Sequence, residues 1–494
     1  MRGNQRTSGD LSRREGGKIF GSGSRTPIAI TILVKKPKKG DEKAKIFYHD
    51  IGDYLTREDK LNKIKAFGSI LSPEMELSSI TPSDDHDWIN KKDDLFQTFI
   101  PLDIKRGIET AQNSCFIKST NGLQSNRDTW VYNFSQQKLK NNVKSAIDFF
   151  NDQSSKIKHT EIFDINSLID ASPLKFSWTR NSKRSVAKGI KFDFNSGEIR
   201  NATYRPFCKQ NLYLSRQLNE YTNQWPTLFP DPQSKNLIIC VSGLGGPKQH
   251  SALVSNEIVD LNCLDSGTQC FPLYYYEKND NQQSDLYASS QDEYIRHDGI
   301  SDFALNLARK LNPKITKEDI FYYIYGFLHN PEYRTRFAAD LKKSLPRIFL
   351  PATYEEFKKY REAGYNLAKL HLNYESGPLC SSVVVSGCEH GNFKVDKMRF
   401  IAKDDKRTII FNNDITIENI PQEAYNYIIN GKSAIEWIME RYAVTIDKNS
   451  KIVNDPNQWS ENPRYVLDLL LRIIQMSLET LKIVNKLPKL NLPN

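Results

Sequence analysis

The sequence predicts a mixed α/β protein: an incomplete sheet near its start, then a large mixed domain whose second half is helical. Three observations predict this. Continuous apolar, β-branched runs at Pro27–Val34 and Asn236–Ser242 read as strands buried on both faces. From residue 301 onward, capping residues repeatedly precede apolar positions at helical spacing. At 494 residues, with 38% hydrophobic and 26% charged side chains, the chain has length for about two to four domains and is too apolar to be disordered.

Residues 1–25 are rich in Gly, Ser and Arg, which is loop chemistry. They lead into Pro27–Val34, and a second apolar run, Ala44–His49, follows the basic turn Lys35–Lys39. Two buried strands need sheet neighbours, so residue 1 is not expected to open a natural domain. Residues 69–104 are acidic (Asp84, Asp85, Asp87, Asp93, Asp94) and are expected to link two units. Ser135 can cap a helix whose apolar face is Leu139, Val143, Ala146, Ile147 and Phe150. Asn236–Ser242 runs into Gly243-Leu-Gly-Gly246. That loop lacks the glycine a dinucleotide fingerprint wants at Lys248, and Gln249 follows where a P-loop wants Ser or Thr. Residues 270–277 read as another strand, and 279–298 as a mobile polar loop.

Ser301 and Thr316-x-x-Asp319 open helices, and Asn330-Pro331 is a cap with proline at the first helical position. Thr353-x-x-Glu356 is a capping box for a helix with Phe357, Tyr360, Gly364, Leu367 and His371 on one side, His371 packed rather than catalytic. Residues 383–420 return to short strands. The last helix, about Tyr465 to Asn485, confines Asp468, Arg472, Gln475, Glu479 and Lys482 to one stripe and is otherwise apolar.

Charge is unevenly placed. The net charge is +10, and the pI is near 9.0. Residues 1–65 hold 16 Lys/Arg against 8 Asp/Glu, and residues 175–219 hold 10 against 2, so each segment carries +8 and the remainder −6. The second segment contains Ile199–Asn219, which sets Arg200, Arg205, Lys209 and Arg216 around Tyr204, Phe207 and Tyr213. Cations beside aromatics suit a polyanionic partner, the cations on phosphates and Arg or Asn forks on base edges. The same residues also fit a strand-turn-strand with solvated arginines. The concentration of charge favours nucleic acid.

The seven cysteines are irregularly spaced, without Cys-x-x-Cys, and read as free thiols in a reducing compartment. Cys380, Cys388 and His390 fit no zinc pattern. No run approaches the ~18 apolar residues of a membrane span, so a cytoplasmic location without membrane partners is expected. Neither Gly-x-Ser-x-Gly nor His-Glu-x-x-His occurs. Asn330-Pro-Glu-Tyr333 and Asn462-Pro-Arg-Tyr465 approach the Asn-Pro-Pro-Tyr of amino-methyltransferases, but both carry a charge at the second proline and sit at helix starts.

An ordered set of segments resembles single-polypeptide Type I (Type ISP) restriction-modification enzymes. Gly3-Asn-Gln-Arg-Thr-Ser-Gly9 and Glu15-Gly-Gly-Lys-Ile-Phe-Gly-Ser-Gly-Ser-Arg-Thr-Pro-Ile-Ala-Ile30 resemble the closing strands of their methyltransferase domain. Asn126-Arg-Asp-Thr-Trp-Val-Tyr-Asn133, Tyr204-Arg-Pro-Phe207, Gln269-Cys-Phe-Pro-Leu-Tyr274, Ile320-Phe-Tyr-Tyr-Ile-Tyr-Gly326, Lys369-Leu-His-Leu-Asn-Tyr374 and Asn430-Gly-Lys-Ser-Ala-Ile-Glu-Trp-Ile438 resemble their specificity domain.

The resemblance implies a methyltransferase remnant over 1–68, a linker over 69–104, and a target-recognition domain with a β-rich half (105–300) and a helical half (301–494). It implies sequence-specific recognition of double-stranded DNA, without the family's nuclease, motor or methyltransferase catalytic motifs, and no cofactor in this chain. S-adenosylmethionine serves the complete family enzyme, and Phe20-Gly-Ser-Gly23 is no substitute for its cofactor motif.

The expected DNA-binding residues are Arg127, Trp130, Arg180, Arg200, Arg205, Lys209, Arg216 and Asn219. Arg205, Lys209 and Arg216 would meet phosphates or guanine edges, and Asn219 adenine. Ser215 stands where the family tends to have Asp. The alternatives are a subunit completing an adenine-N6 DNA methyltransferase with an upstream polypeptide, and a protein-interaction module.

Overall fold

A computed structural model of the chain describes residues 14–15, 19–20, 26–35, 44–103, 113–157, 165–279, 293–402 and 405–492. Two hydrophobic cores meet at the strand Ile238–Val241. Successive strand side chains point to opposite faces. Ile238 and Cys240 therefore enter one core and Ile239 and Val241 the other, all four fully buried. Burial on both faces is what the continuous apolar run serves. The strand lies between Gln269–Pro272 and Ala252–Ser255, both antiparallel to it, and Thr120–Asn121 closes the sheet beyond Gln269–Pro272.

Helices cover one face. Lys317–Phe327 begins with a reciprocal capping box between Thr316 and Asp319, and the Ser301 hydroxyl caps Asp302–Arg309. Thr353 caps Tyr354–Leu372 through the backbone N–H of Glu356. Lys317–Phe327 and Tyr354–Leu372 cross closely because both present glycine. A Cβ on Gly364 would lie 1.8 Å from the carbonyl oxygen of Tyr322, and one on Gly326 2.2 Å from that of Tyr360. Phe96 and Phe99, at the helix Asp94–Thr98, are buried in this same core, so part of the acidic 69–104 stretch is packed rather than solvated.

On the other face lies a sheet ordered Ile258–Val259, Ile199–Arg205, Cys208–Tyr213, Tyr132–Asn133. The expected helix, Gln136–Lys156, covers it, with Leu139, Val143, Ala146, Ile147 and Phe150 buried. A third sheet (Val384–Ser386, Thr416–Glu418, Asp405–Ile410, Arg399–Ala402) and the helices Ala434–Arg441 and Tyr465–Val484 complete this core. His371 is packed as expected. It shares hydrogen bonds with the Tyr325 hydroxyl (2.6 Å) and the Thr480 hydroxyl (3.0 Å).

Several expectations are corrected. Pro27–Val34 belongs to none of the described sheets, with Leu33 86% and Val34 77% exposed. An apolar run becomes a buried strand only where other strands flank it. Ile46–Tyr48 does pair, with Ser78–Ile80, but Phe47 stays exposed. The polar loop 279–298 ends as a strand, Tyr294–Asp298, paired with Tyr274–Lys278; residues 280–292 lie outside the described residues. Asn330 caps Tyr333, and its amide also donates to the Tyr360 hydroxyl and the Pro488 carbonyl, so Asn330-Pro-Glu-Tyr333 is structural. Among the described residues no helix is long and apolar enough to cross a membrane.

Candidate nucleic-acid interface

The stretch Ile199–Tyr213 is a β-hairpin, and its turn points inward. Pro206 and Phe207 form the turn, Phe207 in the left-handed region at φ 55°. The Phe207 ring is buried against Tyr374 (5.3 Å between centroids), His371 (5.9 Å) and Tyr427 (6.1 Å). A hairpin whose tip fills the core cannot offer that tip to a partner.

The cations flanking the turn are spent inside the protein. Arg205 bonds Asp260 at 2.6 Å, stands 3.7 Å from Asp128 and stacks 3.8 Å over the Tyr204 ring. Its side chain is 11% exposed and that of Asp260 2%. Burial pushes the Asp260 carboxyl up to about 6, against the pull of Arg205. Tyr204 and Tyr132 donate their hydroxyls to Asp128 and Asp260, closing the network. Lys209 pairs with Glu375 (2.8 Å) and Glu257 (3.4 Å). Burial alone would lower the pKa of Lys209, but the two carboxylates outweigh it and the pKa rises.

Asn219 is buried, and its amide donates to the carbonyls of Tyr213 and Ser215 (2.9 Å each). Ser215 is buried too and accepts the Gln217 N–H, so it shapes this turn. Trp130 is core. Arg127 is buried under the surface. It donates to the Thr179 hydroxyl (2.8 Å) and lies 4.9 Å from the Phe176 ring, and burial lowers its guanidinium pKa to about 10. Arg200 is half-buried and donates to the Gly197 carbonyl. The expectation that Arg205, Lys209 and Asn219 face DNA is therefore corrected: carboxylates distant in sequence claim Arg205 and Lys209, and the nearby carbonyls of Tyr213 and Ser215 claim Asn219. Arg180 and Arg216 are exposed.

Those two residues mark a surface within the basic segment 175–219. The helix Arg180–Ala187 begins with a reciprocal box between Thr179 and Ser182 and buries Ser182 and Val186. Its other side carries Arg180, Lys183 and Arg184, with Lys188 and Lys191 just beyond. Two bonds tie its first turn down: Arg127 to the Thr179 hydroxyl, and the Asn181 amide to the Glu220 carbonyl (3.4 Å). The loops 124–127 and 215–223 thus abut this helix. They join each other where Gln124 and Tyr221 exchange both backbone hydrogen bonds at 3.0 Å. Asn126 and Tyr221 are exposed there.

Among the described residues no carboxylate lies within 4.0 Å of Arg180, Arg184, Lys188, Lys191 or Arg216. The sequence signal for this surface was available. Between Asp170 and Asp193 stand six cations and no acid.

The glycine loop 243–246 is closed. The N–H of Gly243 donates to the Asp265 carbonyl and that of Gly245 to the Lys342 carbonyl, both at 2.8 Å. A Cβ on Gly243 would lie 2.0 Å from the Ser266 carbonyl oxygen. Gly243 and Gly246 serve close packing, and Gly245 takes a left-handed turn at φ 77°. Phe20-Gly-Ser-Gly23 lies largely outside the described residues. Among the described residues no group of three or more His, Cys, Asp or Glu could hold a metal.

The family model of the Type ISP C-terminal specificity domain matches residues 114–469. The structure is similar to that of a nuclease-deletion mutant of the Type ISP restriction-modification enzyme LlaGI, in complex with a DNA substrate mimic. The identity is 38% and the TM-score 0.86, covering 100% of this chain and 43% of that one. It is similar to the ATP-dependent Type ISP enzyme LlaBIII bound to DNA (35%, TM-score 0.81, 92% and 28% covered). A DrdV–DNA complex is also similar (26%, TM-score 0.81, 100% and 47% covered). The chain spans less than half the length of each. No curated protein matches it. The match over 114–469 shows that this chain belongs to the Type ISP restriction-modification family and carries its C-terminal specificity domain.

Proposed function

We propose that this chain recognises a specific double-stranded DNA sequence, and that it grips the backbone with Arg180–Lys191 and Arg216. One observation carries the reading: a run of cations without an intervening acid lies on a capped, tethered helix and lacks carboxylate partners among the described residues. Cations clustered on one face of a helix are the electrostatic footprint of a surface for a polyanion. The solved relatives bound to DNA or a DNA mimic support it. Adenine-N6 methylation with S-adenosylmethionine, DNA cleavage and translocation would fall to other parts of a full-length enzyme.

The test is duplex binding by fluorescence anisotropy over a range of salt concentrations. Each phosphate contact contributes about 0.9 to the slope of log affinity against log salt. Replacing Arg180, Arg184, Lys188 and Lys191 together with Ala is expected to flatten that slope by about 3 to 4. An unchanged slope refutes the assignment.

Pro27–Val34 favours a second reading, in which the chain completes an adenine-N6 DNA methyltransferase with an upstream polypeptide. The run is apolar, yet Ile30, Ile32, Leu33 and Val34 are exposed, which suits packing against a partner's sheet. The partner, not this chain, would hold S-adenosylmethionine. Calorimetry detecting tight S-adenosylmethionine binding to this chain alone would refute that division.

A further inference from the structure

Resting on the DNA-recognition reading, we propose that Gln124 and Asn126 form the base-reading element of the interface, and that the base they read is adenine. The two side chains are already joined. The Gln124 amide Nε2 donates to Asn126 Oδ1 at 2.9 Å. That bond uses one polar atom of each amide and leaves the Gln124 carbonyl oxygen and the Asn126 amide nitrogen without a hydrogen bond among the described residues. One is an acceptor and the other a donor. Adenine presents the complement in the major groove, its N6 amine a donor and its N7 an acceptor. Guanine presents two acceptors on that edge, N7 and O6, and would leave the Gln124 oxygen facing another oxygen.

The backbone holds this pair rigidly and outward. Asn126 is in the left-handed region at φ 55°, which asparagine tolerates better than most residues. The turn is fixed from beneath. The Arg127 N–H donates to the Ser125 hydroxyl at 3.1 Å, and that hydroxyl donates to Asp128, the carboxylate already tied to Tyr204 and Arg205. Gly122 lies so close to the Asp260–Leu261 backbone that a Cβ there would come within 2.5 Å of the Leu261 Cα. The Asn223 amide donates to the Gly122 carbonyl at 2.8 Å, and the Trp225 indole to that of Asn121 at 3.1 Å.

The surroundings fit a base. Tyr221, paired with Gln124 through the backbone, is 55% exposed. Arg180 and Arg216, exposed cations without carboxylate partners among the described residues, extend from the two segments that abut this loop. The buried ion pairs thus have a purpose for the site: they hold a loop in place rather than touch the nucleic acid. Phosphate contacts fix register, and the amide pair supplies the sequence.

The experiment is selection from a pool of randomised duplexes, with the retained sequences read out for wild type and variants. Gln124→Ala combined with Asn126→Gly removes both amides, and glycine keeps the left-handed backbone. Wild type is expected to enrich a motif containing adenine. The double variant should keep its melting temperature, its salt slope and its affinity for non-specific duplex within about twofold. It should lose preference at one A·T position by about 5- to 150-fold, the discrimination of a bidentate amide contact. Arg184→Ala with Lys188→Ala should weaken all sequences alike and leave the motif intact.

A double variant that enriches the wild-type motif unchanged overturns the assignment, as does one that loses all sequences equally. Wild-type protein that retains duplex without any sequence preference also overturns it while leaving DNA binding in place. Failure of wild type to retain any duplex overturns the DNA reading itself.

Discussion

Replacing Asp260 with Asn separates the structural from the DNA-contact reading of Arg205. The change keeps the shape and leaves an oxygen to accept the Tyr132 hydroxyl, but removes the charge 2.6 Å from the Arg205 guanidinium. Breaking a buried ion pair by neutralising one partner costs about 3 to 5 kcal/mol, because the other charge is left without compensation. Asp128, 3.7 Å from Arg205, and the Tyr204 ring beneath the guanidinium keep part of the stabilisation, so the lower end applies, about 3 kcal/mol. At roughly 2.1 cal/mol/K per residue, unfolding 494 residues carries an entropy near 1 kcal/mol/K, and the expected loss in melting temperature is about 3 °C.

Differential scanning fluorimetry measures it, with Arg180→Ala as a surface control that should shift melting by well under 1 °C. Arg205→Ala should destabilise too, since it leaves Asp260 buried without its cation. An Asp260→Asn protein that melts with the wild type would refute the argument. So would an Arg205→Ala protein that melts normally yet binds duplex weakly, which would return Arg205 to the DNA surface.

Acid should destabilise the protein through its buried histidines. Burial lowers the pKa of His329 to about 4 and of His250 to about 3, and drives that of His371 well below its ordinary value. A base with a depressed folded pKa takes up protons in the unfolded state first. The stability its neutral form confers is complete above pH 6.5 and lost as pH falls from there towards 4. For His329 this is about 2 kcal/mol at pH 5. Asp260, raised to about 6, works in the opposite direction and offsets part of it. Urea denaturation at pH 7 and pH 5 should show a net loss that His329→Gln reduces; an unchanged pH dependence in that variant refutes the assignment. Gly364→Ala would set a methyl 1.8 Å from the Tyr322 carbonyl oxygen and force the two helices apart. The expected cost is about 1 to 3 kcal/mol in the same assay, and wild-type stability would refute the close crossing.

The helical half was legible because its signals are local. Thr316-x-x-Asp319 and Asn330-Pro331 each satisfy a backbone donor three residues away, as Ser135 does in the β-rich half, and each cap stands where the sequence places it. The strand Ile238–Val241 was legible because its composition states that both faces are buried. Pro27–Val34 has the same composition, yet it is exposed. Composition records what a segment would bury, while flanking strands decide whether it does so.

The same distinction governs the cations. Arg205 and Arg180 are identical in type and lie in one basic segment, but Asp260 and Asp128 reach Arg205 from 55 and 77 residues away. Glu375 reaches Lys209 across 166 residues. No spacing rule anticipates such partners. What a sequence does show is where partners cannot be local. Arg205 lies near Glu198, whereas Arg180, Lys183, Arg184 and Lys188 sit in a stretch without any acid. A cation inside a β-hairpin is held by strands that bring distant carboxylates alongside. A cation on the outer side of a short helix, three or four residues from the next cation, meets like charge along its own face. The acid-free interval, rather than the density of arginines among aromatics, was therefore the stronger pointer to the surface left available for a polyanion.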